Sequence, residues 1–568
     1  MRANRSWHAL VTAMVLAATS ACGLFDGAPD PEQVVQAFVQ GLRSGSVEPA
    51  TLTDAGDAEA AQRLLADMSE ELGTPPQFPL AGPVVAEEPQ DEAGGQRQAA
   101  TARLRVRWRL PTGTWAYDSA LALRLNDGEW KVAWSPTVLH PSLAEGQSLR
   151  VLWTAPERGP ILSAAGEPLF KPLPVVTVYV QPRRTRDLDD VLTVLNDTLQ
   201  IESAPLRERV VAADPDHLVD AVTLRVEDYA PLRTTLQPVP GLVFRKSWRP
   251  LTPTREFGRA LLGRVGPPTA EVLDAAAPGF GPTDLLGLSG LQRQFQHRLA
   301  GRPGLRVVTV DADGDEVATL HEAAPVPGEA LRTTLDPQIQ AAADEALSTV
   351  EQTSALVAIR HSSGEVLAVA NGPDGGEVNL ALTGRYALGW TFEMIATTGL
   401  VDAGLDRDAP VSRLPTEALA QASGQLGFGG DWTPGVDAFS GQVPEAVDPA
   451  TGQREVQASP LLMASVAAAI ADGTWRPPVL LPDHARPGDG PRNLEPETKA
   501  ALADLMREPA RGRGGRPVFA RSATAGDGGP HAWALAYRGD LAVAVLVEGD
   551  SSARTSAASV VAQFFQRL

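Results

Sequence analysis

Hydrophobic positions change period along this chain, and each change marks a predicted element. Over residues 31–43, Val34, Val35, Phe38, Val39 and Leu42 recur at helical spacing behind the acidic Asp30 and Glu32, which predicts a capped helix. A second helix is predicted over 58–72. An acidic, glycine-rich stretch (87–98) then gives way to period-two alternation in "ATARLRVRWRL", "TWAYDSALALRL" and "GEWKVAWSP". Asn126-Asp127-Gly128 supplies a hairpin turn between the last two. Helices followed by an antiparallel sheet predict a small α+β domain over 28–145.

Residues 150–325 read differently. Short strands ("VVTVYVQP", "AVTLRVEDY", "LVFRKSWRP") alternate with helical patterns and many prolines, which predicts an elongated α+β domain. From 331 onward a third pattern begins. Asp336 before Pro337 caps a helix, and "SALVAIRHSSGEVLAVAN" turns at Ser363-Gly364. Alanine-rich helices are predicted at 392–405 and 460–471. "HAWALAYRGDLAVAVLVEG" turns at Gly539-Asp540, and a helix closes the chain over 553–568. Two hairpins with helices between them predict one antiparallel sheet flanked by helices.

Length and composition agree with three such domains. The chain has 568 residues and is 43% hydrophobic, and at about 150 residues per domain the prior is three to four domains. No Gly-x-y period, sustained heptad or apolar run of about 18 residues is present, which excludes collagen, coiled coil and polytopic membrane protein. A net charge of −20 argues against a nucleic-acid partner, whose phosphates need a basic face. The eight histidines show no pair at metal-ligand spacing, so neither a metal nor another cofactor is expected. Asp311, Asp313, Gly314 and Asp315 sit between apolar strands with the glycine fourth rather than sixth, and read as a β-turn rather than a calcium loop. "GQLGFGG" lacks the Gly-Lys-Ser/Thr end of a phosphate loop.

Residues 1–22 have the layout of a secretory signal: Arg2 and Arg5, an apolar core over 9–18, then Thr19-Ser20-Ala21 before Cys22 and Gly23. This resembles the lipobox of bacterial lipoproteins, which implies lipidation at Cys22, with Thr19 standing where the family usually has Leu. An ordinary signal peptide cut nearby is the alternative. Cys22 is the only cysteine, so no intramolecular disulfide is available.

Three stretches of the last region fit one family. "YALGWTFEMIATTGLVDAGL" (386–405), "LGFGG" (426–430) with "GQREVQASPLLMASVAAAIADG" (452–473), and "RSATAGDGGPHAWALAYRGDLAVAVLVE" (521–548) resemble the three motif regions of penicillin-binding transpeptidases. "ERGPILSAAGEPL" (157–169), "GRALLGRVG" (258–266) and "LLGLSGLQRQFQHRLAGRPG" (285–304) resemble the pedestal, or dimerisation, domain of class B penicillin-binding proteins. The first domain, ending "WKVAWSPTVLHPSL", resembles the nuclear transport factor two-like domain that precedes that pedestal. The resemblance implies an α+β multidomain protein: a signal over 1–22, the small domain over 28–145, the pedestal over 150–325 and a transpeptidase/β-lactamase-like domain over 331–568. It also implies peptidoglycan stem peptides or cell-wall synthesis proteins as partners, at the outer face of the cytoplasmic membrane.

The chemistry of that family is missing. Its acyl transfer uses a serine with a lysine three residues on; the matching positions here are Trp390 and Glu393. An indole cannot attack a carbonyl, and Glu393 reverses the required charge. Tyr386, Gly389, Thr391 and Phe392 keep the frame recognisable. The whole chain has four lysines, Lys131, Lys171, Lys246 and Lys499, and only Lys499 lies beyond 331, on a predicted surface helix. The Ser-x-Asn motif has no Asn in its gap; Ser412 and Ser423 are the hydroxyls there, read as cap or turn residues. Lys-Thr-Gly-Thr appears as Arg521-Ser522-Ala523-Thr524, in which Arg521, Ser522 and Thr524 could still hold a carboxylate, or Arg521 could pair with a nearby acid. Thr391 beside Glu393 makes a poor nucleophile–base pair, because residues two apart on a helix face different sides. The favoured expectation is a catalytically inactive scaffold or regulator of cell-wall assembly. The alternatives are a D,D-transpeptidase with an atypical centre and a receptor that signals on binding.

Overall fold

The computed structural model describes residues 30–87, 90–92, 95–376, 378–444, 452–506, 508–509, 519–525, 531–549 and 551–568. The signal and Cys22 lie outside these residues. The chain folds into two compact units. The first combines the N-terminal region with 277–280 and 302–326; the second contains 156–276, 281–301 and 327–568.

In the first unit the predicted helices form at Pro31–Ser44 and Asp57–Leu72. Asp30 accepts from the Glu32 amide, Pro31 opens the first turn, and Gly45 closes the helix in the left-handed region at φ 68°. The second helix buries Ala58, Ala61, Leu65, Met68 and Leu72, the 3–4 spacing of one helix face. Strands Ala99–Leu110, Gly113–Asn126 and Glu129–Ala133 pair in sequence order, with Val85–Ala86 at the edge. Asp127 (φ 51°) and Gly128 (φ 82°) both take positive φ, as a two-residue hairpin turn requires. Ala100, Ala102, Leu104, Val106, Trp108 and Leu110 alternate into the core that the helices cover.

A second sheet of this unit pairs Gly304–Val310 with both Ser148–Thr154 and Glu316–Ala323. The Asp311–Asp315 segment is its hairpin turn: Asp311 donates its amide to the Asp315 carbonyl at 3.1 Å. The Asp311 carboxylate accepts from the amides of Asp313 and Asp315, at 3.1 and 2.9 Å. The acid is used on its own backbone.

The second unit contains two main sheets. Strands Val219–Arg225, Lys171–Val180 and Leu242–Leu251 form one, packed against the helices Leu188–Leu199, Ser203–Ala212 and Val226–Leu236. "AVTLRVEDY" is therefore strand only to Arg225. The chain turns helical at Val226, where Glu227 and Asp228 favour a helix N-terminus. The other sheet is antiparallel throughout. It has six strands in the order Glu365–Asn371, Ser354–Arg360, Leu541–Glu548, His531–Arg538, Phe519–Ala525 and Glu508–Pro509.

Both faces of this larger sheet's first four strands are buried, which explains their near-continuous apolar runs. Leu356, Val543 and Val545 pack with Phe564 of the last helix, Ser551–Arg567, and with Leu347 of Pro337–Leu347. On the other face Val357, Ala544 and Leu546 meet Leu462 and Val466 of Pro460–Asp472, and Ile395 of Glu393–Asp402. Asp336 caps Pro337–Leu347 through the amides of Gln338 and Ile339, and Ser459 caps Pro460–Asp472 through Leu462.

Candidate functional site

The segment resembling the nucleophile region begins with the short strand Tyr386–Ala387 and turns at Gly389, whose φ of 55° favours glycine. Residues Gly389–Phe392 form one 3-10 turn, and the α-helix proper starts at Glu393. Positions 390 and 393 stay three apart, the separation that places two residues on one side of such a turn. The Trp390 side chain lies outside the described residues. Thr391 is buried and its hydroxyl donates to the Leu388 carbonyl at 2.6 Å. That hydroxyl holds the turn together.

The strand Phe519–Ala525, which carries Arg521, Ser522, Ala523 and Thr524, runs beside this turn, with Cα atoms of the two within 8 Å. Its register is fixed by the neighbouring strand: Arg521 opposite Leu535, Ser522 opposite Ala534, Ala523 opposite Trp533 and Thr524 opposite Ala532. The side chains of these four residues lie outside the described residues. The turn at 389–392 and the strand 519–525 therefore come together in the backbone.

The turn is held from behind by residues that no motif announces. His531 Nε2 lies 2.8 Å and Trp533 Nε1 2.9 Å from the Ala387 carbonyl oxygen. A carbonyl only accepts, so His531 carries its proton on Nε2, and both lone pairs of one carbonyl are engaged. Tyr386 completes the cluster: its hydroxyl donates to Glu548 at 2.9 Å, and its ring meets His531 and Trp533 at centroid distances of 5.5 and 6.2 Å. Burial, the hydrogen bond to Glu548 and that residue's charge all push the Tyr386 phenol well above its ordinary range. These contacts join residues more than 140 positions apart, so local spacing carries no sign of them.

Ser412 and Ser423 lie in the gap where a second motif is expected. Ser412 is exposed on the 3-10 turn Val411–Arg413. Ser423 is neither cap nor turn residue: it is buried inside the helix Thr416–Gln425 and donates back to the Ala420 carbonyl at 2.8 Å. Lys499 is on the expected helix, Pro496–Leu505, but is half-buried. Its ammonium donates to the Asp472 carbonyl at 2.8 Å and closes the C-terminus of Pro460–Asp472, where a cation meets the negative end of the helix dipole. Among the described residues no group of three or more His, Cys, Asp or Glu is placed to hold a metal ion.

Comparison with known proteins agrees with this architecture. Residues 154–333 match the penicillin-binding protein dimerisation domain, and residues 80–147 match the NTF2-like N-terminal transpeptidase domain. The chain thus carries the pairing of domains found in penicillin-binding proteins, and its resemblance is to those of class B. It is 26% identical over 295 residues to the peptidoglycan D,D-transpeptidase FtsI of Escherichia coli K12, covering 50% of this chain and 47% of that protein. It is 24% identical over 269 residues to penicillin-binding protein 3 of Bacillus subtilis, covering 45% and 38%. A third relative, the peptidoglycan D,D-transpeptidase MrdA of Acinetobacter baumannii, is 24% identical over 234 residues, covering 40% and 34%. The chain spans about half or less of the length of these curated relatives. No helix among the described residues is long and apolar enough to cross a membrane.

Proposed function

We propose that this chain is a penicillin-binding-protein-like factor of peptidoglycan assembly that binds without catalysing acyl transfer. The carrying observation is the pair Trp390 and Glu393 on a turn whose backbone frame is kept and pinned by His531 and Trp533. Lys499, the one lysine after 331, is committed to a helix end, which leaves no lysine to take a serine proton. In this reading the domains over 28–145 and 150–325 present surfaces to cell-wall synthesis proteins. Arg521, Ser522 and Thr524 hold a stem-peptide carboxylate that nothing then attacks. Export places the protein on the outer face of the cytoplasmic membrane, anchored through Cys22.

The test is intact-mass measurement after incubating the full chain with a penicillin, beside a homologue that is fully acylated under the same conditions. The expected result is no covalent adduct. A stoichiometric adduct would overturn the reading in favour of a D,D-transpeptidase with an atypical centre, and peptide mapping would name the nucleophile. Thermal stabilisation by a stem peptide without mass gain would support binding at the third-motif strand.

A further inference from the structure

The second unit contains a cavity of about 610 Å³ between the end of the three-stranded sheet and the segments that follow it. Its size lies within the range of small-molecule sites. Five arginines line it: Arg225 at the end of its strand, Arg249 near the end of Leu242–Leu251, then Arg255, Arg259 and Arg264. Among the described residues Asp220 is the only carboxylate that lines it. In a chain of net charge −20 this is a strong local concentration of the opposite sign.

Arg225 is well enclosed, with a side chain only 12% exposed. Its guanidinium donates to the Pro253 carbonyl at 3.2 Å and approaches the exposed Glu227 at 3.9 Å. A guanidinium has five N–H donors in a planar fork, so these contacts use a small part of its capacity. Arg255 pairs outward with Asp228 at 2.9 Å, and Arg249 acts on Asp220, whose carboxyl burial holds above its ordinary range. The remaining wall is mainly apolar, with Phe170, Val175 and Leu288, and includes Thr223 and Thr252. Guanidiniums and hydrocarbon lining one cavity fit a ligand that carries an anionic group on an apolar body.

We infer that this cavity binds a small amphipathic anion, a phosphate or carboxylate carried on an apolar body, with the Arg225, Arg249 and Arg259 guanidiniums facing the anion. The site belongs to the pedestal region and acts independently of whether the C-terminal domain acylates. A free small phosphate shares only the anionic end of such a ligand, and titration separates it from one that also carries the apolar body.

The probes are octyl phosphate below its micellar concentration, inorganic phosphate, and octyl glucoside as the neutral chain control, titrated by calorimetry into the full chain. Octyl phosphate is expected to bind one-to-one, at least tenfold tighter than inorganic phosphate, and octyl glucoside not to bind saturably. Arg249→Ser with Arg259→Ser is expected to weaken octyl phosphate at least tenfold, while Arg407→Ser, which removes a cation paired with Asp504 elsewhere in the unit, leaves it unchanged. Should the double variant fail to fold, Arg259→Ser alone, at an exposed position, is expected to weaken binding severalfold. No saturable binding of octyl phosphate, or binding that the arginine variants do not weaken, overturns the site. Equal affinity for inorganic phosphate and octyl phosphate overturns the amphipathic class of ligand.

Discussion

Replacing Trp533 with Ala is expected to cost the second unit about 3–5 kcal/mol of stability, read as a lowered urea midpoint at unchanged slope. Trp533 is fully buried and is among the largest side chains with no solvent exposure. Its ring belongs to the core cluster on one face of the six-stranded sheet, so truncation leaves a cavity that neighbouring strands, tied by ladders on both sides, cannot close. Its indole N–H also holds the Ala387 carbonyl. Trp533→Phe keeps most of the ring and removes that one bond, with an expected cost of about 1–2 kcal/mol. The gap between the two variants separates packing from polar anchoring. A cost below about 1 kcal/mol for Trp533→Ala would mean that the ring is not the interior strut described.

Local elements were legible in the sequence wherever one residue type had one physical use. Asp30 with Pro31 and Asp336 with Pro337 announced helix starts, and Asp127-Gly128, Ser363-Gly364 and Gly539-Asp540 announced turns, because caps and positive-φ turns admit few alternatives. The expectation that Trp390 and Glu393 stand in place of a serine and a lysine rests on residue identity and the resemblance alone. Long-range assembly was not legible. The pairing of Ser148–Thr154 with Gly304–Val310 joins segments about 150 residues apart, and neither strand's alternation names its partner. His531 and Trp533 look like ordinary positions of an apolar strand until Ala387 is brought beside them. The arginine-lined cavity gathers five residues from Arg225 to Arg264 that share no motif. Ser423 departs from the expected cap or turn role because its hydroxyl bonds back to the Ala420 carbonyl, which fits it inside a helix.

Acidification is expected to act in opposite directions through one buried group in each unit. In the first, His140 is buried against Trp115 and Tyr117, at ring distances of 5.5 and 4.4 Å, and its Nδ1 accepts from the Ser142 amide at 3.1 Å. Burial lowers its pKa to about 4, and protonation would remove the lone pair that Ser142 uses. The unfolded chain titrates near the ordinary histidine value of about 6.5, so it binds the proton first. Stability from this group is complete above about pH 6.5 and is lost as pH falls through 4. The expected loss is about 1–2 kcal/mol, discounted because the ring still meets some water. His321, stacked on Trp115 at 5.4 Å, is shifted the same way by burial.

In the second unit, Asp344 has the reverse sign. Its Oδ2 accepts from the Gly258 amide and from Gln340, each at 3.0 Å, while Oδ1 is buried without a partner. Burial raises its pKa to about 7, against the two hydrogen bonds and with help from the charge of Glu256. Here the folded state binds the proton first. The penalty of the buried carboxylate is therefore full above about pH 7 and is relieved as pH falls toward the unfolded value near 3.9. Asp344→Asn keeps an acceptor for Gly258 and Gln340 without the charge. It is expected to exceed the parent by about 1–3 kcal/mol at pH 8, with the advantage shrinking by pH 5. His140→Asn, by contrast, should flatten the acid-side loss of the first unit. Denaturation of parent and variants from pH 4.5 to 8 isolates each group, because other carboxylates cancel in the differences. A constant Asp344→Asn difference across that range would show that the Asp344 carboxyl does not titrate there and would remove its part in this opposition.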